Sequence, residues 1–390
     1  MRMYFVGGFL GSGKTTAIAG ACHRLIARGK RVGVVTNDQG KLQVDSLFMT
    51  SSGLPTVEVG GGCFCCRYDD FDARVSSLVE RLGGVDGPAG PDAVFAESVG
   101  SCADIVATVV KPFEAFRENY GAGSVFSVFA DSRLLLARLE GRRLPFGEDV
   151  IYLFDRQLEE ADILVLNKRD LLSEGDRARL SGLAAAAWPG KELLAISGST
   201  EEGAASWLAA IEGRAGGGSR AAYPRDPLDM DYARYGSGER ELAWLDERLL
   251  LADGAGLSSD GGRCRRAILE FALRFAQDLG LSSLSIGHLK LHVSAGSWEG
   301  KISLSAGDFL GGEGGAPADI ERLLEAQLPY FSARRASVAV NARVQASPEE
   351  LAAVAGAAAE SARRSAGISI TEEDRSAFRP GLPEPTHRMR

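Results

Sequence analysis

Short apolar runs alternate with amphipathic stretches through the first 212 residues of the chain. The stretches between the runs have helical spacing, as in TTAIAGACHRLIARG, and buried strands separated by helices pair in parallel. The apolar runs are MYFVGG, RVGVVTN, DAVFAES, VFSVFAD and ADILVLNKRD. The pattern predicts an α/β domain over residues 1–212, with a mostly parallel sheet and helices on both faces.

The pattern then changes to helices and strands that predict a smaller α+β domain over residues 263–375. Its strands are LSSLSIGHLKLHVSAG, WEGKISLSAG and ASVAVNARVQA. Its last helix has a good start signal, since Ser347 can act as the N-cap before Pro348.

Two segments are predicted to lie outside the folded domains. Residues 213–262 are predicted to be a linker and connector, because GRAGGGSRAA at 213–222 is rich in glycine. Residues 376–390, which end in FRPGLPEPTHRMR, are predicted to form a disordered tail.

The composition is that of an ordinary globular protein, with 45% apolar and 25% charged residues. The net charge of −8 argues against a large electrostatic footprint for nucleic acid or an anionic membrane. Lys14 interrupts the opening apolar segment, which argues against an export signal, and no segment is long and apolar enough to span a membrane. We therefore expect a cytoplasmic protein with reduced cysteines, in which a cysteine cluster binds metal or is redox-active.

A complete phosphate loop, G-x-x-x-x-G-K-S/T, lies between the first predicted strand and the first helix, in GGFLGSGKTT. Glycines let backbone N–H groups wrap around phosphate oxygens, Lys14 neutralises the β and γ phosphates and serves catalysis, and the Thr15 hydroxyl reaches Mg²⁺. The candidate phosphate-binding residues are Gly8, Gly11, Ser12, Gly13, Lys14, Thr15 and Thr16. A plain glycine-rich turn is the alternative, which this position between strand and helix disfavours.

The segment LNKRD, at residues 166–170, ends a hydrophobic strand and has the N-K-x-D form of guanine-specific NTPases. The carboxylate of Asp170 can accept from the N1 and N2 hydrogens of guanine, which adenine does not present in that pattern. Asn167, Lys168 and Asp170 therefore predict a guanine site, and GTP as the nucleotide. A charged loop after a strand is the alternative.

Two further segments follow strands, as ligand-contacting loops do in open parallel sheets. TNDQGKLQVD contains Asn37, Asp38 and Asp45, and FAESVGS contains Glu97 and Gly100. Glu97 could hold Mg²⁺ through water or orient the attacking water, and the Gly100 backbone could follow the γ phosphate. The candidate Mg²⁺ ligands are thus Thr15, Asp38 and Glu97. Surface acids are an equal interpretation of Asp38 and Asp45.

The segment GGGCFCC places Cys63, Cys65 and Cys66 within four positions. Thiolates ligate soft or borderline metals, so Zn²⁺ is the first candidate and Co²⁺ or Fe²⁺ are alternatives. In an extended segment Cys63 and Cys65 would face the same way, and a turn after Phe64 would bring in Cys66. Three thiolates leave one position of a tetrahedral ion open, which suits transfer. A redox-active pair and plain packing are the alternatives, and Cys102 is either a fourth ligand or a small buried residue.

His288, Lys290 and His292 alternate with apolar residues on a predicted strand, so they share the face opposite the core. Two imidazoles on one face could receive a metal, and a solvated strand face explains them as well. Cys22 and Cys264 lie in helical apolar patterns and are predicted to be core residues.

Several motifs occur in the order seen in one family. They are the phosphate loop, GGGCFCC, the ESVG segment, FAD at 129–131 and QLEEADILVLNKRD at 157–170. On these motifs, residues 1–212 resemble the CobW/HypB/UreG class of metal-centre GTPases, and most closely its CobW-like branch, which includes activators of nitrile hydratase. The chain has TNDQG where many CobW-like proteins carry an ENE-type segment, and GSCAD where they carry a GLADP-type continuation.

The resemblance implies a P-loop GTPase domain in which the phosphate loop holds phosphates and Mg²⁺, the NKRD residues hold guanine, and the three clustered cysteines bind a metal. It also implies a chaperone that delivers the metal to a client metalloenzyme or to its maturation factor. The sequence leaves the oligomeric state open, and a homo-oligomer is one candidate. We expect slow GTP hydrolysis without a partner, because no arginine finger is visible. The alternative is a regulatory or scaffolding GTP-binding protein whose cysteine loop is structural or redox-sensing.

Overall fold

The computed structural model describes residues 1–42, 44–84, 90–117, 124–216, 226–254, 262–310 and 319–390. These residues form two compact units. The first unit consists of Met1–Gln39, Met49–Glu239 and Leu382–Arg390, and the second consists of Gly40–Phe48 and Arg240–Gly381. In this part of the chain, no helix has both the length and the apolarity needed to cross a membrane.

Parallel strands form the central sheet of the first unit. They are β1 (Arg2–Gly7), β2 (Val32–Asn37), β3 (Thr56–Val59), β4 (Ala93–Glu97), β5 (Val125–Asp131), β6 (Ile163–Asn167) and β7 (Glu192–Ala195). Their order in the sheet is β3-β2-β4-β1-β5-β6-β7. Every residue of β4, β5 and β6 is buried, as expected of continuous apolar runs that helices cover. The predicted P-loop NTPase sheet is confirmed.

Helices lie between these strands along the chain or follow the last of them. They are α1 (Lys14–Ala27), α2 (Val44–Ser51), α3 (Tyr68–Arg81), α4 (Lys111–Phe116), α5 (Ser132–Leu139), α6 (Glu148–Glu160), α7 (Glu174–Ala187), α8 (Glu201–Gly216) and α9 (Tyr232–Glu241). Because the strands are parallel, their carboxyl ends meet at one edge of the sheet. The loops after β1, β2, β4 and β6 carry the predicted nucleotide residues to that edge.

An antiparallel sheet forms the second unit, in the strand order β10-β9-β11-β8-β12. Its strands are β8 (Leu242–Ala252), β9 (Ser285–Ala295), β10 (Trp298–Ser305), β11 (Arg335–Gln345) and β12 (Ser369–Phe378), and its helices are α10 (Arg263–Leu281), α11 (Ile320–Gln327) and α12 (Pro348–Ala366). Apolar side chains of α10, α12 and the sheet share one core. The Ser347 hydroxyl caps α12 as predicted, by accepting from the Glu350 amide. The predicted second α+β domain is confirmed.

The structure corrects the boundaries of the predicted connector and tail. Strand β8 lies within the predicted connector, and helix α8 continues to Gly216 through the start of the predicted linker, of which residues 217–222 lie outside the described residues. Strand β8 was missed because it is buried almost throughout, so it has no alternation of polar and apolar positions. The predicted disordered tail is also wrong, because β12 extends to Phe378 and Leu382–Arg390 belongs to the first unit.

The interpretation of His288 and His292 as a solvated strand face is wrong. Both are buried, at 4% and 7% exposure, and the His288 Nε2 lies 2.7 Å from the Asn341 Oδ1. Asp45 of the same unit contacts this face, with its carboxylate 2.5 Å from the Lys290 Nζ. Within the described ranges, these histidines belong to no group with metal-ligand spacing.

Asp45 is consequently neither an exposed surface acid nor a switch carboxylate that is open to Mg²⁺. Its second oxygen lies 2.6 Å from the Lys301 Nζ. Although burial raises the pKa of Asp45, the charges of Lys290 and Lys301 hold it well below the usual range. Cys22 and Cys264 are fully buried, which confirms their predicted place in the two cores.

Candidate functional site

The phosphate loop joins β1 to α1 in a conformation that requires glycine. Gly8, Gly11 and Gly13 all have positive φ, at 125°, 68° and 89°. A Cβ on Gly8 would lie 2.1 Å from the Phe129 carbonyl oxygen, so a side chain there is excluded. The Lys14 ammonium donates to the Gly8 carbonyl at 2.7 Å and thus folds back over the loop. Ser12 is buried in the loop.

The start of α1 and the end of β4 bring two predicted Mg²⁺ residues together. The Thr15 hydroxyl donates to the Glu97 Oε1 at 2.9 Å, and the Glu97 side chain is buried. A Cβ on Gly100 would lie 3.2 Å from the Leu10 amide, so the loop after β4 lies directly against the phosphate loop. Thr16, on the first turn of α1, is exposed.

Asn167 connects the NKRD segment to the phosphate loop. Its Nδ2 donates to the Ser12 carbonyl at 2.8 Å, and its Oδ1 accepts from the Gly198 amide at 2.7 Å. It therefore fixes the loop after β7 as well as the phosphate loop. Sequence reasoning missed Gly198, although the SGST segment that contains it directly follows the β7 strand.

A buried acid orients Lys168, which has a left-handed backbone with φ 60°. The Lys168 Nζ lies 3.0 Å from the Asp131 Oδ2 at the end of β5. Although burial raises the pKa of Asp131, the charges of Lys168 and Arg133 hold it below the usual range. The sequence offered only the FAD motif as a signal for Asp131. Asp170 is exposed, and its amide donates to the Ser197 Oγ at 3.2 Å.

The three clustered cysteines lie in the loop after β3. The Sγ of Cys63 lies 2.8 Å from that of Cys65 and 3.2 Å from that of Cys66, and the Cys65 and Cys66 sulfurs are 3.8 Å apart. A tetrahedral ion with Zn–S bonds of about 2.3 Å holds its sulfurs about 3.8 Å apart, so small side-chain rotations would accommodate one. Among the described residues, these three cysteines form the group with metal-ligand spacing.

The turn that gathers these thiols begins earlier than predicted. The Cys66 and Arg67 amides both donate to the Cys63 carbonyl, at 3.1 and 3.0 Å, so the segment turns from Cys63 instead of after Phe64. The Phe64 ring packs on Phe71, with centroids 4.5 Å apart. Burial of this ring holds the turn against α3.

Residues 2–194 match the model of the CobW/HypB/UreG nucleotide-binding domain. The match includes both the phosphate loop and the three-cysteine turn. This part of the chain belongs to the CobW/HypB/UreG family.

Curated relatives of the CobW/HypB/UreG domain support the same assignment. The zinc chaperone CobW of Sinorhizobium sp is 30% identical over 184 residues, which are 42% of this chain and 50% of that protein. The zinc chaperone CobW of Pseudomonas aeruginosa is 29% identical over 199 residues, which are 45% and 50% of the two chains. The hydrogenase maturation factor HypB of Azotobacter chroococcum is 28% identical over 214 residues, 54% and 59% of the two chains. The chain thus spans about half the length of these relatives.

In this CobW/HypB/UreG domain, Cys102 adjoins the three clustered thiols. It is buried, and hydrogen bonds from Cys63 and Cys65 lower its pKa to about 6. Hydrogen bonds with Cys102, Cys63 and Cys66, together with burial, raise the pKa of Cys65 well above its usual range, and the contact with Cys102 has the largest effect. The contact with Cys63 and burial raise the pKa of Cys66 to about 11. A metal ion that bound these thiols would therefore displace protons.

One side chain of the domain, Asn37 at the end of β2, holds the cysteine loop in place. Its Nδ2 donates to the Val59 carbonyl at 2.9 Å and to the Gly62 carbonyl at 2.8 Å. Its Oδ1 accepts from the Phe64 amide at 2.8 Å. Asp38, the next residue, is buried, and its amide also donates to Val59. The candidate switch segment and the cysteine loop are therefore joined through Asn37.

Asn37→Ala is expected to weaken metal binding about tenfold, in the range seen when an outer-shell partner of a metal ligand is lost. It removes the three hydrogen bonds that hold the loop, so it should also lower the free energy of unfolding by about 1–3 kcal/mol. Competition with a chromogenic chelator and urea denaturation measure the two effects. Gln39→Ala, which loses a 3.3 Å contact with Glu239 instead, is the matched control. Unchanged metal affinity in Asn37→Ala would contradict the role of Asn37.

Proposed function

We propose that this chain is a GTP-hydrolysing metallochaperone. It binds a transition metal through Cys63, Cys65 and Cys66 and delivers it to a client metalloenzyme, or to its maturation factor, under control of the nucleotide state. The observation that carries this proposal is the bonding of Asn37, which ties the cysteine loop to the segment that contains Asp38. Zn²⁺ is the first candidate cargo, because the curated CobW relatives are zinc chaperones.

Each of the segments at this edge of the sheet has a role in the proposed nucleotide site. Backbone amides of the phosphate loop would bind the phosphates, and Lys14 would exchange its contact with the Gly8 carbonyl for phosphate oxygens. Asp170, whose side chain is exposed, would accept from guanine. Thr15, Asp38 and Glu97 would hold Mg²⁺, which neutralises phosphate charge when bound.

Hydrolysis by this arrangement is expected to be slow in the isolated chain. Glu97 is buried beside Thr15, where it would orient the attacking water molecule or hold Mg²⁺ through a water molecule. No arginine finger is evident in the sequence. Turnover should therefore be roughly 10⁻⁴ to 10⁻² per second, as in switch GTPases that act without a partner. A client would then set the timing of release.

Control by nucleotide requires that the metal bind one nucleotide state more tightly than the other. In our proposal GTP orders the segments around Asp38 and Glu97, and Asn37 passes that order to the cysteine loop. Reciprocity demands that the metal tighten GTP by the same factor. A coupling of about 3 kcal/mol would give a difference of about 150-fold between the two states.

An anaerobic titration of the reduced chain with Zn²⁺ and Co²⁺ against a chelator tests the proposal, in the presence of GDP or of a non-hydrolysable GTP analogue. We expect tighter metal binding with the analogue, and loss of that difference in Asn37→Ala. Gln39→Ala should retain the difference and serves as the control.

Equal metal affinity in the two nucleotide states would remove the coupled mechanism. Absence of metal binding, together with reversible oxidation of the thiols, would favour the alternative of a regulatory GTP-binding protein with a redox-sensing loop.

A further inference from the structure

The segment Leu382–Arg390 lies across the cysteine loop of the first unit. The Thr386 amide donates to the Cys65 carbonyl at 2.8 Å, and the Thr386 hydroxyl lies 3.3 Å from the Cys66 carbonyl. The Glu384 amide donates to the Cys66 sulfur at 3.2 Å. The segment therefore pairs with the backbone of the thiol-bearing turn and contacts one thiol directly.

Side chains anchor the same segment on both sides of this turn. The His387 ring packs edge-on against Tyr68 and Phe116, with centroids 5.0 and 5.1 Å apart. The Arg388 Nε lies 2.7 Å from the carboxylate of the buried Asp104, which also accepts from the Tyr232 hydroxyl at 2.7 Å. These contacts define a groove beside the thiols, with an aromatic cleft and an acidic end.

The groove continues beyond these anchors at both ends. The Met389 amide donates to the Ala107 carbonyl at 2.8 Å. A Cβ on Gly236 would lie 2.6 Å from the Leu382 Cδ2, so the other end of the segment packs closely on α9. The contacts thus follow the whole segment from Leu382 to Met389.

The sequence LPEPTHRMR favours an extended backbone. Pro383 and Pro385 fix their own φ angles, and each restricts the preceding residue to extended conformations. A segment that is already extended loses less conformational freedom when it docks. This explains how a segment without an apolar pattern can hold a defined place on the surface.

We propose that Leu382–Arg390 is an intrachain strap, seated in a peptide-binding groove, that covers the thiol site until a client displaces it. Cys63 and Cys65 are buried, at 5% and 0% exposure, so an incoming ligand must approach through the partly exposed Cys66. The Glu384 amide lies on that thiol. The strap therefore occupies the position from which ligand exchange would start.

The chemistry of the groove indicates what would displace the strap. The competing segment is extended, offers backbone amides to the carbonyls of Cys65 and Ala107, and carries a ring for the Tyr68 and Phe116 cleft and a cation for Asp104. The strap is held by hydrogen bonds and by an ion pair in which the arginine, but not Asp104, is partly exposed, and a partner can replace these contacts one by one. The role of the strap in delivery rests on the proposed function, but its cover of the thiols does not.

Thiol reactivity of the reduced, metal-free full chain tests the cover directly. The double variant Thr386→Pro, Arg388→Glu loses the amide that donates to Cys65 and reverses the charge that faces Asp104. We expect an aromatic disulfide reagent to modify Cys66 at least about tenfold faster than in the unchanged chain, as the loss of about 1.4 kcal/mol of strap binding gives. Peptide mapping by mass spectrometry assigns the modified residue. Arg390→Ala, at an exposed position, is the matched control.

Two further readouts separate displacement of the strap from damage to the fold. Cys22 and Cys264, which are fully buried, must stay unreactive in the variant. If they react in the double variant, the single variant Arg388→Glu provides the test instead, because it keeps the hydrogen bonds that the strap backbone donates. Added LPEPTHRMR peptide should restore protection of Cys66 in the variant, whereas a scrambled peptide should not. An unchanged rate, or fast modification that the peptide does not slow, would overturn the strap and its groove.

Failure of the strap and failure of the proposed function are distinguishable. The reactivity assay uses neither metal nor nucleotide, so loss of protection in the variant supports the strap even if Zn²⁺ never binds. If Zn²⁺ does bind, the variant should release it to a chromogenic chelator about tenfold faster, by the same loss of strap binding. Nucleotide-dependent metal binding with equal release rates in variant and control would refute the strap alone.

Discussion

Cys65→Ser is expected to lower the affinity of the chain for Zn²⁺ and Co²⁺ by at least about 100-fold, the upper end of what loss of an outer-shell partner costs. Cys65 is fully buried, and its sulfur lies 2.8 Å from that of Cys63 and 3.8 Å from that of Cys66, so the substitution removes one of the three clustered thiols. A serine hydroxyl does not ionise as a thiol does, and two thiolates remain to hold the ion.

The cobalt–thiolate charge-transfer band and competition with a chelator measure this loss. Cys264→Ala, in the core of the second unit, controls for the removal of a cysteine as such and should leave both readouts unchanged. Serine is close to cysteine in size, so the variant should retain GTP binding. A charge-transfer band of undiminished intensity in Cys65→Ser would place the metal elsewhere.

Asp170→Asn should lower the affinity for GTP by about 100-fold or more, because two hydrogen bonds to a charged group contribute about 1.5–3 kcal/mol each. The Asp170 side chain is exposed, and its backbone amide donates to the Ser197 hydroxyl, so the substitution keeps the backbone of this segment in place. Asparagine donates where aspartate accepts. It should therefore bind xanthosine triphosphate, which presents a carbonyl in place of the guanine amino group.

Titration with fluorescent derivatives of the two nucleotides gives both affinities. Glu174→Gln, four residues further along and exposed at the start of α7, makes the same change in charge and is the matched control. If Asp170→Asn keeps its affinity for GTP and gains none for the xanthine nucleotide, Asp170 does not read the base.

The sequence was most informative where a pattern has one physical explanation. Strands β4, β5 and β6 were predictable because a continuous apolar run followed by a helical spacing fits a buried parallel strand. Strand β8 offered no such signal, since its burial on both faces removes the alternation that marks antiparallel strands. The burial of His288 could not be foreseen either, because Asp45, which contacts that face of the sheet at Lys290, is distant in sequence.

The motifs of the candidate site could be predicted from the sequence, but the contacts between residues that are distant in the chain could not. The phosphate loop, NKRD and the three cysteines each carry a recognisable spacing. Asn37, Asp131 and Asn167 act through partners far away in the chain, such as Gly62, Lys168 and Ser12. Such pairings depend on the order of strands in the sheet, which a single sequence does not contain.

The place of the cysteine loop within that order bears on how such proteins diverge. The loop follows β3, an outermost strand of only four residues, of which Val59 alone is buried. The segment proposed to read the base follows β6, on the far side of β1. Changes in the first three residues of β3 therefore disturb little of the core, whereas Phe64 and Cys65 of the loop are buried. In the proposed metallochaperone, evolution can vary this edge strand while the thiol turn and the nucleotide-binding segments stay the same.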